Sequence, residues 1–407
     1  MAPLTAQYGL QTPSRAGSPQ HIVLVGAGHA HVEVLRSFGL RPPPDVRLTL
    51  ISNSANAVYS GMLPGFVAGH FAAEEIQIPI EPLARFSDCT LIMGEATALD
   101  LNRRSIRLKD GREICGDIVS LDVGAMTSLT GDISHQEKVI AVKPIESFAR
   151  EWVALRSRIE TDAAARIAVI GAGAAGIELA LSLQHRLTRD WIGSDANADG
   201  GVTLVVDRAG LVPKFPAGVR RRLARKLRER RVAVILDSEF RAATMTMPLT
   251  PRYSAVIGAA GVVPAPWLAA SGLALDHGGF VAVDARLRSI SHSYVFAVGD
   301  AAGMVESPRP KAGVIAVRQG PVLAENLRRS LRGSALRSFI PQRAWLSLIS
   351  TGDRYAVATR GEFSVGGRWV WYWKRFIDRR FIRRFTILPQ KGQSVGRREE
   401  ADAGGCE

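Results

Sequence analysis

Apolar positions in this chain gather into short β-rich runs, and two of these runs end in a glycine turn that opens a helical pattern. HIVLVGAGHAHVEVL (21–35) shows the arrangement first, and RIAVIGAGAAGIELAL (166–181) repeats it. From His21 to Ser52 the pattern predicts a strand, a glycine turn, a helix, the Pro-rich connection RPPPD and the strand VRLTLIS. Between Thr90 and Leu121, short β-rich pieces alternate with turn signals and predict a small antiparallel meander. Helices are expected at about Pro144–Arg158, from Gly176 to about Arg189, from Val219 and over 316–331. GVTLVVD (201–207), RVAVIL (231–236), SAVIGAAG (254–261) and FVAVD (280–284) read as strands, and WIGSDANADGG (191–201) as a polar loop. Alternating strands and helices imply an α/β fold of two Rossmann-like units with parallel sheets, the second inserted in the first. The expected bounds are 21–138 with 280–335 for the first unit and 139–279 for the second. A leader (1–20), a C-terminal region with an amphipathic helix (336–390) and a tail (391–407) flank them, both ends being read as disordered.

A glycine turn between strand and helix leaves the first helical N–H groups unpaired around one spot, where they and the helix dipole favour an anion. The first Gly permits the tight turn, the second lets backbone approach a pyrophosphate, and the third permits close helix–strand packing. The first motif reads Gly26-Ala27-Gly28-His29-Ala30-His31. His31 replaces the third Gly, either as a packed, hydrogen-bonded side chain or as one that reaches toward the ligand. No acid ends that unit's second strand; Ser52 and Asn53 stand there, leaving a hydroxyl or an amide for a ribose. The second motif is complete in Gly171, Gly173 and Gly176, and its second strand ends in Asp207, suited to both ribose hydroxyls of NADH. Arg208 follows and keeps NADPH open. VFAVGDAA (295–302) puts Asp300 at the end of an apolar strand and before an expected helix, within the chemistry of a flavin's ribityl chain. An isolated VGD would otherwise be a helix N-cap. The three segments in this order predict FAD in the first unit and NADH or NADPH in the second.

Composition adds limits. With 407 residues, 46% hydrophobic and 7% aromatic, the chain is a folded protein of two units plus an extension. A net charge of +14 implies attraction to something acidic: anionic lipid, nucleic acid, an acidic carrier protein or dinucleotide phosphates. The basic run VRRRLARKLRERR reads as a solvated helix face, and no nucleic acid partner is expected. The first twenty residues lack a continuous apolar core, so they read as a flexible leader and not a secretory signal. No apolar run is long enough to span a bilayer. Cys89, Cys115 and Cys406 are far apart and form no CxxC pair, which fits a reducing compartment and argues against a zinc site. The expected location is the cytoplasm, or the inner face of the plasma membrane as a peripheral protein.

That last option comes from GRWVWYWKRFIDRRFIRRF (367–385). Trp369, Trp373, Phe376, Ile377 and Phe381 share one side at helical spacing, with Lys374, Arg375, Arg379, Arg383 and Arg384 largely elsewhere. Such a helix suits an anionic bilayer surface, and equally suits packing on the first unit or on a partner subunit. Asp378 is expected to pair locally with Lys374. A homodimer stays open.

The layout from residue 21 to about 335 resembles the pyridine nucleotide–disulfide oxidoreductase superfamily, and within it the type II NADH dehydrogenase-like branch. HIVLVGAGHAHVEVLRSFG, YSGMLPGFVAGH, RPKAGVIAVRQGPVLAENL and WKRFIDRRFIRRF are similar to the flavoprotein domain often fused in front of selenide, water dikinase. The resemblance implies that Gly26, Ala27, Gly28, His29, Ser52, Ala96, Gly124, Gly299 and Asp300 surround FAD. It implies that Gly171, Gly173, Ala174, Ala175, Gly176, Asp207 and Gly261 surround the nicotinamide cofactor. Glu178 falls where relatives place a carboxylate near nicotinamide and flavin; its alternative is an acid in a helix first turn. Lys311 precedes the helix facing the flavin, there to stabilise the reduced ring or to make a surface salt bridge.

Departures from the superfamily narrow the expectation. The region that would carry a redox-active Cys pair reads YSGMLPG, so a dithiol relay is not expected. The Gln-containing helix motif of a quinone site reads Val314 and Arg318, with only Gln319 kept. The expected activity is hydride transfer from NAD(P)H to flavin N5, then electron transfer to a second acceptor, the flavin carrying the redox chemistry. A membrane quinone is suggested by the aromatic–basic helix and an acidic electron carrier by the charge. A selenium or sulfur species follows only from the look-alike's fusion partner, and a redox sensor or scaffold is the non-enzyme alternative.

Overall fold

The computed structural model describes residues 19–128, 139–159, 162, 165–190, 201–240 and 253–389. The leader, the polar loop and the tail with Cys406 lie outside them, save for Pro19, Gln20 and Gly201. Each glycine motif opens from the centre of a five-stranded parallel sheet. In the first sheet Gln20–Val25 lies between Val46–Ser52 and Ile118–Leu121, with Cys89–Met93 and Val295–Ala297 at the edges. In the second, Arg166–Ile170 lies between Ala255–Gly258 and Gly201–Val206, with Val139–Ala141 and Ala233–Leu236 outside. A central parallel strand is covered on both faces, so it needs an unbroken apolar run rather than alternation. Ile22, Val23, Leu24, Ile167, Ala168 and Val169 are accordingly fully buried. The chain leaves the first sheet after Leu121 and returns at Val295, which makes the second unit an insertion.

Two local expectations change. Only Ala96–Asp100, Ser105–Leu108 and Glu113–Cys115 form the antiparallel meander; the strands on either side of it join the main parallel sheet. No long helix follows Asp300 directly. One 3-10 turn, Gly299–Ala301, leads into the strand Ala302–Met304, and the helix Gly313–Leu331 starts later, packing on His29–Leu40.

The basic helix, Ala217–Glu229, buries Val219, Leu223 and Leu227 and presents most of its arginines to solvent. Beyond the two units, strands Ser347–Ser350, Ala356–Arg360 and Phe363–Gly367 form an antiparallel sheet that leads into the helix Arg368–Thr386. This helix buries Val370, Trp371, Lys374, Asp378, Ile382 and Phe385 against the sheet, the strand Gln77–Pro79 and the helix His29–Leu40. Arg379 bonds Glu75 at 2.6 Å and Arg384 bonds Glu33 at 2.8 Å, fastening it to the first unit. The side that carries these aromatic residues is therefore unequally exposed. Phe381 turns inward, whereas Trp369, Trp373 and Phe376 are 58%, 40% and 63% exposed. No helix among the described residues is long and apolar enough to cross a membrane.

Candidate functional site

At the first turn, Gly26 has φ +89°, and a β-carbon on it would lie 2.4 Å from the Asp122 carbonyl oxygen. A β-carbon on Gly28 would lie 2.3 Å from Cγ of Asp122. His31, in the place of the third Gly, is fully buried. Its Nδ1 sits 2.6 Å from the Gly26 carbonyl and its Nε2 2.8 Å from Ser120 Oγ. A carbonyl only accepts, so Nδ1 carries the proton and Nε2 accepts from the serine. Burial lowers the imidazole pKa to about 4 and keeps it neutral. Of the two readings of His31, the structure shows the packed one.

Asp122, which follows the strand Ile118–Leu121, was not foreseen. Its Oδ2 accepts from the backbone N–H groups of Ala30 at 2.9 Å and His31 at 3.1 Å, at the start of the first-unit helix. Burial lifts its carboxyl to about 6, against the pull of those bonds and of His29. Nothing in the local text marks this aspartate; it reaches the turn only because Ile118–Leu121 pairs with Gln20–Val25.

Around this turn stand the other first-unit candidates. Gly299 (φ +61°) donates its N–H to Gln319 Oε1 at 2.7 Å, so the surviving Gln of the altered motif anchors the Gly-Asp turn. Asp300 pairs with Lys143, a second residue that the sequence reading missed. His29 packs 5.6 Å from the Tyr59 ring, and its Nε2 is buried without a hydrogen-bond partner among the described residues. Gly124 (φ +69°) faces open space. Ser52 is buried, and its hydroxyl donates to the Ser54 carbonyl at 2.7 Å, while Asn53 is exposed. Ala96 begins the meander, partly buried, and Ala27 is partly buried in the turn. Lys311 makes no salt bridge among the described residues; its ammonium donates to the Ala302 carbonyl and lies 3.6 Å from the Phe280 ring centre. Burial lowers its pKa to about 8.

The second turn follows the sequence closely. Gly171 has φ +118°, and a β-carbon on Gly176 would lie 1.8 Å from the Gly171 carbonyl oxygen, so the third glycine is what lets helix Ala174–Asp190 sit against the turn. Gly173 and Gly261 face open space, and Ala174 and Ala175 begin the helix. Asp207 is exposed after its strand and caps its own turn by accepting from Ala209 N–H at 3.0 Å.

Glu178 lies at the fifth position of that helix and bridges units. Its Oε1 accepts from Ser350 N–H at 2.7 Å and from Ser350 Oγ at 2.9 Å. Burial raises its carboxyl above the ordinary range, opposed first by the Lys374 ammonium. Lys374 donates to Asp378 at 2.7 Å, as expected, and also to the Gly61 carbonyl at 2.5 Å. Tyr59 bonds Asp378 and stacks on Phe381 with ring centres 4.3 Å apart. Burial raises the Asp378 carboxyl and the Tyr59 phenol as well. A titratable cluster drawn from the YSGM loop, the second-unit helix and the C-terminal helix thus adjoins His29 of the first turn.

The profile of the family described as pyridine nucleotide-disulphide oxidoreductase matches residues 20–320. The chain belongs to this family. It is an oxidoreductase, of a kind that works with FAD and NADH. It is similar to the type II NADH:quinone oxidoreductase of Staphylococcus aureus, 22% identical over 393 residues that cover 89% of this chain and 94% of that protein. It is also similar to the NADH dehydrogenase-like protein YutJ of Bacillus subtilis, 22% identical over 329 residues, covering 79% and 86%. Among solved structures, the sulfide:quinone oxidoreductase of Aquifex aeolicus shares the fold at TM-score 0.71 and 16% identity, covering 91% of this chain and 93% of that one. An NADH-bound water-forming NADH oxidase of Lactobacillus brevis shares it at TM-score 0.65 and 19% identity, covering 84% and 75%.

Proposed function

We propose that the chain oxidises NADH at the second glycine turn and delivers the electrons, through FAD held at the first, to a membrane quinone. The observation that carries this reading is the buried cluster of Glu178, Lys374, Asp378 and Tyr59 beside His29. FAD, when bound, supplies hydride acceptance and electron transfer. A quinone takes two protons with its two electrons, so its site needs groups that hold protons away from bulk water. Glu178 and Asp378, both raised by burial, are such groups.

The unoccupied hydrogen-bonding capacity fits the cofactors. His29 Nε2 lacks a partner among the described residues, and Gly124, Gly173 and Gly261 keep space clear of side chains there. In this reading Gly26, Ala27, Gly28, His29, Ala96, Gly124, Gly299 and Asp300 hold FAD, with Lys143 beside Asp300 supplying a cation. Ser52 contributes through the backbone of its turn, its hydroxyl being committed to Ser54. Gly171, Gly173, Ala174, Ala175, Gly176, Asp207 and Gly261 hold the nicotinamide nucleotide. Glu178 and Lys311 act near the reacting ring. Trp369, Trp373 and Phe376, flanked by exposed Arg380 and Arg383, bring the protein to an anionic bilayer where quinone resides. The relative named as an NADH:quinone oxidoreductase supports the same choice.

An acidic electron carrier is the second reading, favoured by the open groove that Arg221, Arg222, Arg225 and Arg228 line on the second unit. An anaerobic acceptor panel decides: NADH-reduced protein is mixed with a short-chain quinone or an acidic iron–sulfur carrier, and flavin absorbance is followed. Fast reoxidation by quinone is expected, and reoxidation by the carrier alone would overturn the quinone reading. Flotation with anionic liposomes, with and without residues 367–390, tests the membrane face. Equal flotation of both forms would remove it.

A further inference from the structure

The start of helix His29–Leu40 already holds an anion from the protein itself. Asp122 Oδ2 takes the N–H groups of Ala30 and His31, in the position that a dinucleotide turn keeps for a pyrophosphate. The carboxyl group is enclosed by backbone that tolerates no side chain. A β-carbon on Gly28 would meet it at 2.3 Å and one on Gly299 would meet Oδ1 at 2.6 Å. Oδ1 itself makes no hydrogen bond among the described residues.

The charged and titratable groups that face Asp122 do not neutralise it. Burial lowers the pKa of His29, from the same turn, which weakens its pull on Asp122. His31 is neutral and uses both ring nitrogens elsewhere. Asp300, from the Gly299–Ala301 turn, adds a second negative charge and claims the Lys143 ammonium. Lys311, near Asp300, is committed to the Ala302 carbonyl. A pyrophosphate carries two more negative charges into this enclosed space, where repulsion between like charges is screened far less than in water.

We propose that Asp122 takes up one proton from solvent, at Oδ1, when FAD binds, so that a neutral carboxyl group shares the helix N-terminus with the pyrophosphate. Oδ2 goes on accepting from Ala30 and His31, while Oδ1 changes from a repelled acceptor into a donor. Burial has already lifted the carboxyl of the FAD-free protein to about 6, in the direction of that state. Adjacent negative charge raises it further, so FAD affinity falls as pH rises from about 6 toward the higher value of the complex. The inference rests on FAD as the first-unit cofactor.

The test uses the full-length protein, freed of flavin, titrated with FAD by fluorescence quenching from pH 5.5 to 8.5. Wild-type affinity should weaken above about pH 6 with a limiting slope of roughly tenfold per pH unit, as linkage to one proton requires. Asp122→Asn, an uncharged isostere, should bind with little pH dependence and more tightly than wild type at pH 8. His29 is present in both proteins, so the difference between them isolates Asp122. Calorimetry at pH 7.5 in two buffers of different ionisation enthalpy should show uptake approaching one proton for wild type and none for Asp122→Asn. The wild-type measurement stands alone if the variant does not fold. Tight binding without pH dependence or proton uptake overturns the proposal alone, as does an unchanged slope in Asp122→Asn. Failure to bind FAD at every pH overturns it together with the cofactor reading beneath it.

Discussion

Glu178 of the second-unit helix and Ser350 of the C-terminal sheet are joined twice, by N–H at 2.7 Å and by Oγ at 2.9 Å, to one carboxylate oxygen. A helical acid that merely favoured the dipole would sit in solvent. This one is held across a boundary between units, with Lys374 as its strongest electrostatic neighbour.

Glu178→Gln keeps an oxygen for both Ser350 donors and removes the ionisation. We expect flavin content and Tm to stay near wild type, while kcat with a quinone falls about 100-fold or more, the scale of a lost acid–base group. The pH profile of kcat should also lose an ionisation above the ordinary carboxylate range. Unchanged turnover and profile would leave Glu178 with only its bridging role.

Gly28→Ala places a methyl group 2.3 Å from the Asp122 carboxyl carbon, inside the turn. The purified variant should be colourless or contain less than about a tenth of the wild-type flavin, since a shift of 1.4 kcal/mol in binding is already tenfold. Its NADH affinity, measured by quenching of intrinsic fluorescence, should survive because the second turn is separate. Wild-type 450 nm absorbance per protein would contradict the assignment of this turn to FAD.

Lys374→Met strips a buried carboxylate of its cation. Lys374 and Asp378 are both under a tenth exposed, so breaking the pair should cost about 3–5 kcal/mol. Adding Asp378→Leu should restore part of that, because Asp378 is then no longer buried without its cation, while Glu178 still lacks Lys374. Urea denaturation of wild type, single and double variants reads the cycle. A single variant as stable as wild type would show that water reaches Asp378.

Acid should destabilise the flavin-free protein between about pH 6.5 and 4. His21 and His31 are both lowered to about 4 in the fold, His21 by burial and then by Arg47. A base depressed in the folded state adds stability above its unfolded pKa of about 6.5, and that stability is lost as pH falls through the folded value. The loss is about 3 kcal/mol for each histidine. Asp122 acts in the opposite direction: raised to about 6, it protonates in the folded state first and returns stability of similar size as pH falls toward 4. Urea midpoints should therefore fall more steeply with acid in Asp122→Asn than in wild type. Parallel curves for the two proteins would refute the offset.

Much of the fold was legible because it is local. Unbroken runs such as Ile22–Val25 and Ile167–Ile170 can be satisfied only between two covered faces of a parallel sheet, and Gly26 and Gly171 hold positive φ that other residues rarely adopt. The meander was read too widely because short parallel edge strands and antiparallel ones share the same composition. The C-terminal helix was read as having one apolar side, since spacing alone does not say how much of a helix its neighbours cover. Phe381 is claimed by Tyr59, whereas Trp369 meets no such partner and stacks on Trp373 at 6.3 Å.

By itself, then, the sequence determined two dinucleotide turns, their order, the parallel sheets that carry them and the family to which the chain belongs. These follow from backbone dihedrals and burial periodicity, which act within a few residues. The tertiary structure alone decided that Asp122 would meet Gly28, that Lys143 would meet Asp300, and that Glu178, Lys374, Asp378 and Tyr59 would share one buried cluster. Apart from Lys374 and Asp378, one helical turn apart, those partners lie far apart along the chain. Their meeting depends on strand order and helix docking, and their electrostatics on being taken out of water together.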